Sequence, residues 1–363
     1  MGNSLLSKSW EACLQRQLPA VLYHLPGASA QNILVQTDSK LHILNAGASL
    51  EEKTGFVLAP FCESPEFPTV LIQPDLTSSI EALMPEFLAQ VERQPLTDTA
   101  TISPSSSVIL DKATYLKELG KMIEAIQNGG PQKAVFSRAM SIAAPAFNPV
   151  EAFEKLVEKY PNAFTYLAFL PGIGCWMGAT PEVLALEKRT HWETVALAGT
   201  QRLNGQPLHS IEWGQKEIHE QQLVTDYIEA HLEGIDCEKN GPFTQQAGQI
   251  VHLKTTFHLP KKATYLGDRL RQLHPTPAVC GLPQQEALQL ILQLEPHVRE
   301  YYTGYLGPVN SPDGTALFVN LRCMKVNSNE LTLFVGGGIT SGSIPEKEWE
   351  ETAHKAETLL AVI

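Results

Sequence analysis

Helix-like and strand-like runs follow one another in this chain without a fixed alternation, and that order limits the folds open to it. Residues 111–127 place Leu116, Leu119, Ile123 and Ile126 at three- and four-residue spacing and stop at Asn128-Gly129-Gly130, which predicts a helix. A strand is expected at 133–137, a helix at 149–160, and strands at 164–170, 175–178 and 192–197. A long amphipathic helix follows at 212–232, then a strand at 251–258, a helix at 284–294 and strands at 305–309, 316–326 and 331–335. A terminal helix is expected over 345–363, with Pro345 near its first position. A doubly wound sheet needs regular βαβ units, so this mixture predicts an α+β fold. Upstream, strands are expected at 32–35, 41–44 and 69–72, and a helix at 80–92. Residues 94–107 hold two prolines and four serines and read as a polar linker, dividing the chain into 1–107 and 108–363.

The 363 residues carry 27 basic and 39 acidic side chains, a net charge of −12. Such an acidic chain is not expected to bind nucleic acid, because neutralising phosphates needs a basic face. An anionic ligand must be captured by a local cluster of positive groups, against the net field. No apolar run reaches the roughly 18–20 residues of a membrane span, and the first ten residues do not pattern as a signal peptide. Six cysteines without a close pair read as free thiols in a reducing compartment, so a cytoplasmic protein is expected.

Several familiar motifs fail. Gly172-Ile-Gly174-Cys-Trp-Met-Gly178 is one residue too long for a dinucleotide fingerprint. His219-Glu220 opens like a zinc-protease helix, but Leu223 stands where the second histidine would ligate. In the 212–232 helix, the apolar stripe Val224, Tyr227, Ile228 and His231 extends backwards through Glu220 and Glu217. Two carboxylates on a buried stripe require a cationic partner. Alternatively the stripe ends at Leu223 and both are solvated near the positive helix N-terminus. In the terminal helix, Glu348 and Glu351 have the same spacing but lie off the stripe Trp349, Ala353, Ala356 and Leu360, so a surface Glu351–Lys355 pair accounts for them. Gly336-Gly337-Gly338 after a strand reads either as a close backbone approach to an anion or as a bulge or tight turn.

Nine segments then occur in a familiar order: KAVFSR (133–138), GATPEVL (178–184), ALAGT (196–200), KEIHEQQLV (216–224), LHPTPAVCG (273–281), YYTGYLG (301–307), LR (321–322), GGGITSGS (336–343) and PEKEWEET (345–352). In these the chain resembles the chorismate-utilising enzymes, which include isochorismate and salicylate synthases and the large subunits of anthranilate and aminodeoxychorismate synthase. The resemblance covers roughly residues 110–363. It implies one large α+β unit of antiparallel sheets with helices outside, onto which the first hundred residues wrap as a variable part.

The resemblance also implies roles. Lys133 is similar to the base that activates water, and Glu182 to the acid at the departing hydroxyl. Glu220 and Glu351 resemble Mg²⁺ ligands, and Glu217 and Glu348 resemble their helical neighbours, which ligate directly or through water. Tyr302 and Arg322 match positions that hold a substrate carboxylate. Gly199, Thr200, His274, Ala278, Gly336, Gly338 and Lys355 match others around the substrate. Lys133 must then be neutral and Glu182 protonated, which calls for sites that lower the first pKa and raise the second.

Ala198 replaces the lysine nucleophile of one group of aminodeoxychorismate synthases, and His274-Pro-Thr-Pro-Ala278 resembles isochorismate synthases rather than amination enzymes. The reaction so implied is Mg²⁺-dependent isomerisation of chorismate to isochorismate, feeding menaquinone or siderophore synthesis, with no glutaminase subunit. Salicylate synthase, which also eliminates pyruvate, is the alternative. A binding paralogue without activity is disfavoured because base, acid and metal glutamates are all present. Gln221 stands where many relatives have histidine.

Overall fold

The computed structural model describes residues 2–45, 47–97, 108–203, 205–247, 250–261 and 266–363. Among them, two nine-stranded antiparallel sheets pack face to face. The first runs, edge to edge, β14 (Gly281–Leu282), β7 (Lys133–Ala143), β18 (Glu330–Ile339), β17 (Cys323–Val326), β9 (Gly174–Thr180), β8 (Phe164–Leu170), β1 (Ala20–His24), β2 (Gln31–Val35) and β6 (Leu76–Ser79). The second runs β12 (Glu238–Ala247), β13 (Ile250–Pro260), β11 (His191–Arg202), β10 (Val183–Glu187), β16 (Ala316–Val319), β15 (Tyr305–Val309), β4 (Gly55–Ala59), β5 (Thr69–Ile72) and β3 (His42–Leu44). The expected α+β class is what the chain adopts. Strands from its first eighty residues extend both sheets, and of the expected linker, residues 98–107 lie outside the described residues.

Helices cover the outer faces. α1 (Gly2–Gln15), α2 (Pro85–Glu92) and α4 (Pro149–Lys159) bury Trp10, Phe87, Phe153 and Leu156 against the first sheet. α5 (Gln215–His231) and α6 (Leu266–Arg271) bury Val224, Ile228 and Leu270 against the second. α3 (Lys112–Gln127) and α7 (Gln284–Leu294) close the end beside β7 and β14. α8 (Pro345–Leu360) lies across β18. α3 starts where Asp111 accepts the Thr114 amide at 2.7 Å, an N-cap that satisfies one orphan donor.

β8 shows why the central strands read as unbroken apolar runs. Phe164, Tyr166, Ala168 and Leu170 face the inter-sheet core, while Leu167 and Phe169 face the helices. A strand buried on both faces has no polar alternation. Two expectations are corrected. The helix expected at 80–92 is a 3-10 turn at Ile80–Ala82 followed by α2, because Pro85 starts a new helix. The single strand expected at 316–326 is two strands, β16 and β17, in different sheets.

Phe318 stacks on Phe164 between the sheets with ring centroids 4.2 Å apart and planes 5° off parallel. Both rings are fully buried. Phe318→Ala should therefore cost about 3–5 kcal/mol, measured as a fall in unfolding free energy by denaturant titration.

Candidate active site

The break between β16 and β17 builds the site. Leaving β9, the chain passes through Pro181 and Glu182 into β10, from the first sheet to the second. Leaving β16, it passes back through Asn320, Leu321 and Arg322 into β17. The two crossovers are laced together: Thr180 Oγ1 donates to the Val319 carbonyl (2.6 Å), the Val319 amide to Glu182 (2.9 Å) and the Ala179 amide to Arg322 (3.1 Å). Arg322 takes a φ of +49°, a left-handed turn that swings the following strand into the other sheet. Asn320 ties in a third segment, donating Nδ2 to the Tyr301 carbonyl (2.8 Å) and accepting the Thr303 amide at its own carbonyl (2.8 Å).

Glu182, Arg322, Tyr302, Gly199, Thr200, Ala278, Glu220, Lys355 and Gly336–Gly338 all line one cavity at this junction. It is narrow, about 60 Å³, and shares Pro181, Leu197 and Arg322 with a neighbouring cavity of about 740 Å³. The three glycines sit in regular register, Gly336 to Gly338 opposite Ser137, Phe136 and Val135, so the bulge reading does not hold. They are small because other groups need the space. A Cβ on Gly336 would lie 2.9 Å from the Tyr302 hydroxyl, one on Gly337 3.2 Å from Glu351 Oε1 and 3.5 Å from Glu348 Oε2, and one on Gly338 would collide with Glu220 Oε1 and Lys133 Cε.

Three acids converge on these glycines, each held by a lysine. Lys133 Nζ, at the start of β7, is 2.9 Å from Glu220 Oε1. Lys216 Nζ is 2.6 Å from Glu348 Oε1, and Lys355 Nζ is 2.7 Å from Glu351 Oε1 and donates to the Gly336 carbonyl at 2.9 Å. Lys133 is 0% exposed and Glu348 1% exposed. Glu348 therefore does not lie on a solvated face, as its spacing implied. The buried line of α8 is Glu348, Thr352, Ala356 and Leu359, while Ala353 and Leu360 are exposed. That line packs on the glycine strand, where polar groups are required. On α5, Glu220 and Glu217 are half-buried, and the apolar stripe ends at Ile228 because His231 is exposed. Glu217 stands apart, its carboxylate beside Gly214 and its backbone beside Gly199.

The electrostatics separate these carboxyls. Burial raises Glu182 to about 7, against the opposing pull of Lys133, Lys355 and Arg322. For Glu220, burial pushes upward, but Lys133, Lys216 and Lys355 outweigh it and hold the group below its ordinary value. Glu348 is raised by burial and by the Glu351 charge, with Lys216 opposing.

His252 on β13 carries no motif signal, and only its position in the fold identifies it. Burial, with Arg322 and Lys355 nearby, pushes it down to about 3, so the ring is neutral. Its Nδ1 lies 3.0 Å from the Gly199 carbonyl and so carries the proton, leaving Nε2 to accept from Arg322 at 3.2 Å. His274 does not line the cavity. It is pushed down to about 4 by burial, and its Nε2 donates to the Thr303 carbonyl at 2.7 Å, supporting the Tyr302 loop from behind. Gln221 is fully engaged: it accepts the Ala198 amide (2.9 Å) and donates to the Ala196 carbonyl and Thr255 hydroxyl (both 3.1 Å). It clamps α5 onto the second sheet directly beside Glu220.

In kind the donors suit a hard divalent cation, but no three of these carboxylates bring oxygens within 4.8 Å of one another, so binding requires them to draw together. Every candidate ligand is a carboxylate, they come from two facing helices, and Glu348 Oε2 is buried without a hydrogen-bond donor among the described residues.

Arg322 and Lys355 on the wall of one cavity, with Lys133 against Gly338 beside it, define a receptor for a small anion at the junction of two antiparallel sheets. The chorismate binding enzyme family matches residues 69–363, and the chain belongs to that family. Isochorismate synthase EntC of Escherichia coli K12 is 32% identical over 63% of this chain and 62% of its own length. The vibriobactin-specific isochorismate synthase of Vibrio cholerae is 29% identical over 68% of this chain and 66% of its own. The matched region thus spans just under two thirds of those relatives. The solved structure of MenF, the menaquinone-specific isochorismate synthase of Escherichia coli, has the same fold, with a TM-score of 0.75 and 23% identity over 98% of this chain and 90% of its own. No helix among the described residues is long and apolar enough to cross a membrane.

Between the ordinary carboxyl value of 4.5 and about 7, the folded state binds one more proton at Glu182 than the unfolded chain does. Stability from this group therefore falls as pH rises through that window and levels off above it, by about 3 kcal/mol in total. Glu182→Gln removes the penalty. Urea unfolding of the chelator-treated protein should show the variant gaining on wild type between pH 4.5 and pH 8; an equal difference at both would count against the raised carboxyl.

Proposed function

We propose that the protein is an Mg²⁺-dependent isochorismate synthase, and that the observation carrying this reading is the buried Glu182, held protonatable near neutrality in one cavity with Arg322 and beside Lys133. The names of the similar curated proteins support it, as does Ala198 in place of a lysine nucleophile.

Arg322 and the Tyr302 hydroxyl hold a substrate carboxylate, the guanidinium offering a planar pair of donors. Neutral His252 accepts from Arg322 without adding charge, and so aims the guanidinium while leaving its attraction for the anion intact. Glu220, Glu348 and Glu351 would hold Mg²⁺, with Glu217, which stands apart beside Gly214, reaching it through water; the ion would offset their repulsion and supply a Lewis acid for the substrate carboxylate. Lys133 faces Glu220 as an ion pair in this structure, contrary to the neutral lysine a base requires. Once that carboxylate is given over to the cation, the lysine can shed its proton and, neutral, take one from water, whose oxygen bonds to ring C2. The double bonds shift, the C4–O bond breaks, and Glu182 gives its proton to the leaving hydroxyl, which departs as water. One water is consumed and one released, so the change is an isomerisation. Lys133 and Glu182 exchange roles in reverse.

Pure protein with chorismate and Mg²⁺ should form isochorismate, resolved by chromatography. Salicylate with pyruvate would instead identify a salicylate synthase, and binding without turnover a non-catalytic protein. Lys133→Ala and Glu182→Gln should each lower kcat by about 10²–10⁴. Glu220→Ala should abolish the rescue of chelator-treated enzyme by Mg²⁺, and near-normal turnover in Lys133→Ala would reject the base assignment.

A further inference from the structure

Among the described residues, His191, Glu193 and His258 are the only three that bring metal-ligating atoms within 4.8 Å of one another; no three of the glutamates beside the glycine strand do so. We propose that they form a second metal site, specific for Zn²⁺ or a similar borderline transition ion and chemically distinct from the carboxylate site.

The sheet fixes the arrangement. His191 and Glu193 are two apart on β11 and so share a face, and Glu193 is paired directly with His258 on β13. His258 Nε2 lies 3.7 Å from Glu193 Oε2, too far for a hydrogen bond, and the two imidazole rings approach to 4.5 Å between centroids. All three side chains are half-buried, so they are held yet reachable by solvent ions. Thr190 Oγ1 lies 3.1 Å from His191 Nδ1, an outer partner that leaves Nε2 free to ligate. Zn–N and Zn–O bonds of about 2.0–2.2 Å in a tetrahedron require ligands roughly 3.4 Å apart, a contraction that side-chain rotation supplies. On β12, Glu238 stands opposite His258 on the same face, a further carboxylate beside the triad.

Ligand chemistry sets the ion. Two imidazoles and one carboxylate suit Zn²⁺, whereas Mg²⁺ takes oxygen ligands almost exclusively. Three protein ligands leave a fourth position open. Glu193 lies on the wall of the 740 Å³ cavity that also holds Lys188, Lys254 and Arg322, so a bound ion would sit at that cavity's margin with water or an anion in the open position.

The test is titration of the full chain with Co²⁺ as a spectroscopic probe, in excess Mg²⁺ to occupy the carboxylate site. One equivalent should give the intense visible absorption of four- or five-coordinate Co²⁺, displaced by Zn²⁺. Glu193→Gln should weaken Co²⁺ binding at least tenfold, and the double variant His191→Gln, His258→Gln should lose the absorption. Zn²⁺ should raise the Tm of the wild type and not of the double variant, whose metal-free Tm reports its fold. An unchanged Co²⁺ spectrum in the double variant would place the metal elsewhere, at exposed Cys62 for example, and overturn the proposal, as would no Co²⁺ uptake by the wild type.

Discussion

The side chain and backbone of Asn320 hold together three segments that would otherwise separate into two sheets. Its Oδ1 accepts from Tyr166 (2.7 Å) in the first sheet, and its backbone amide donates to the Gly304 carbonyl (2.8 Å) at the start of β15 in the second. The residue is fully buried, so each unmade bond would leave a desolvated polar group costing about 1–3 kcal/mol. With those bonds made, the left-handed turn at Arg322 and the φ of +61° at Thr303 become sustainable. Glu182, Tyr302 and Arg322 then meet at one point although 140 residues separate the first from the last.

Around that point the charges are balanced pair by pair. In an acidic chain, Lys133, Lys216 and Lys355 each face one glutamate in a region largely withdrawn from water. Buried ion pairs of this kind add little net stability, because desolvation offsets the attraction, yet losing one partner is expensive. A dianionic substrate together with a divalent cation adds no net charge. The proposed complex can therefore occupy the site by exchanging partners, without changing the balance that keeps the fold intact. The narrowness of the cavity fits this picture, since the present ion pairs fill space a ligand would take.

Much of the architecture was legible from period alone. The stripe of Leu119, Ile123 and Ile126 is buried as the spacing of α3 required, and the double-sided run of β8 marks a strand covered on both faces. Periodicity failed where local pattern and tertiary role diverge. Residues 316–326 have uniform strand character, and only the partners of Asn320 reveal the break. The spacing of Trp349 and Ala353 sets an apparent stripe that puts Glu348 on a solvated face, whereas the glycine strand it meets demands the opposite. His252 looks like an ordinary strand histidine, and its importance lies in Arg322, seventy residues away. Gln221 departs from the family pattern yet makes three hydrogen bonds to β11 and β13 of the second sheet, an outcome visible only once α5 is docked. The ordered motifs brought the site residues into view without showing that Lys133, Glu217, His274, Glu348 and Glu351 stand outside the cavity lining.

Three consecutive glycines near the end of an interior strand are a poor local choice, each costing about 0.5–1 kcal/mol relative to alanine. β18 tolerates them because its register does not depend on them. Ten consecutive residues pair with β7, and Leu331, Leu333 and Phe334 anchor the same strand in the core on both faces. The strand is thus stiff at one end and bare at the other. The bare end lets Tyr302, Lys133 and three carboxylates approach a flat backbone, a convergence that any side chain there would prevent. Local weakness and site geometry share one cause, and the aromatic packing between the sheets is what makes that weakness affordable.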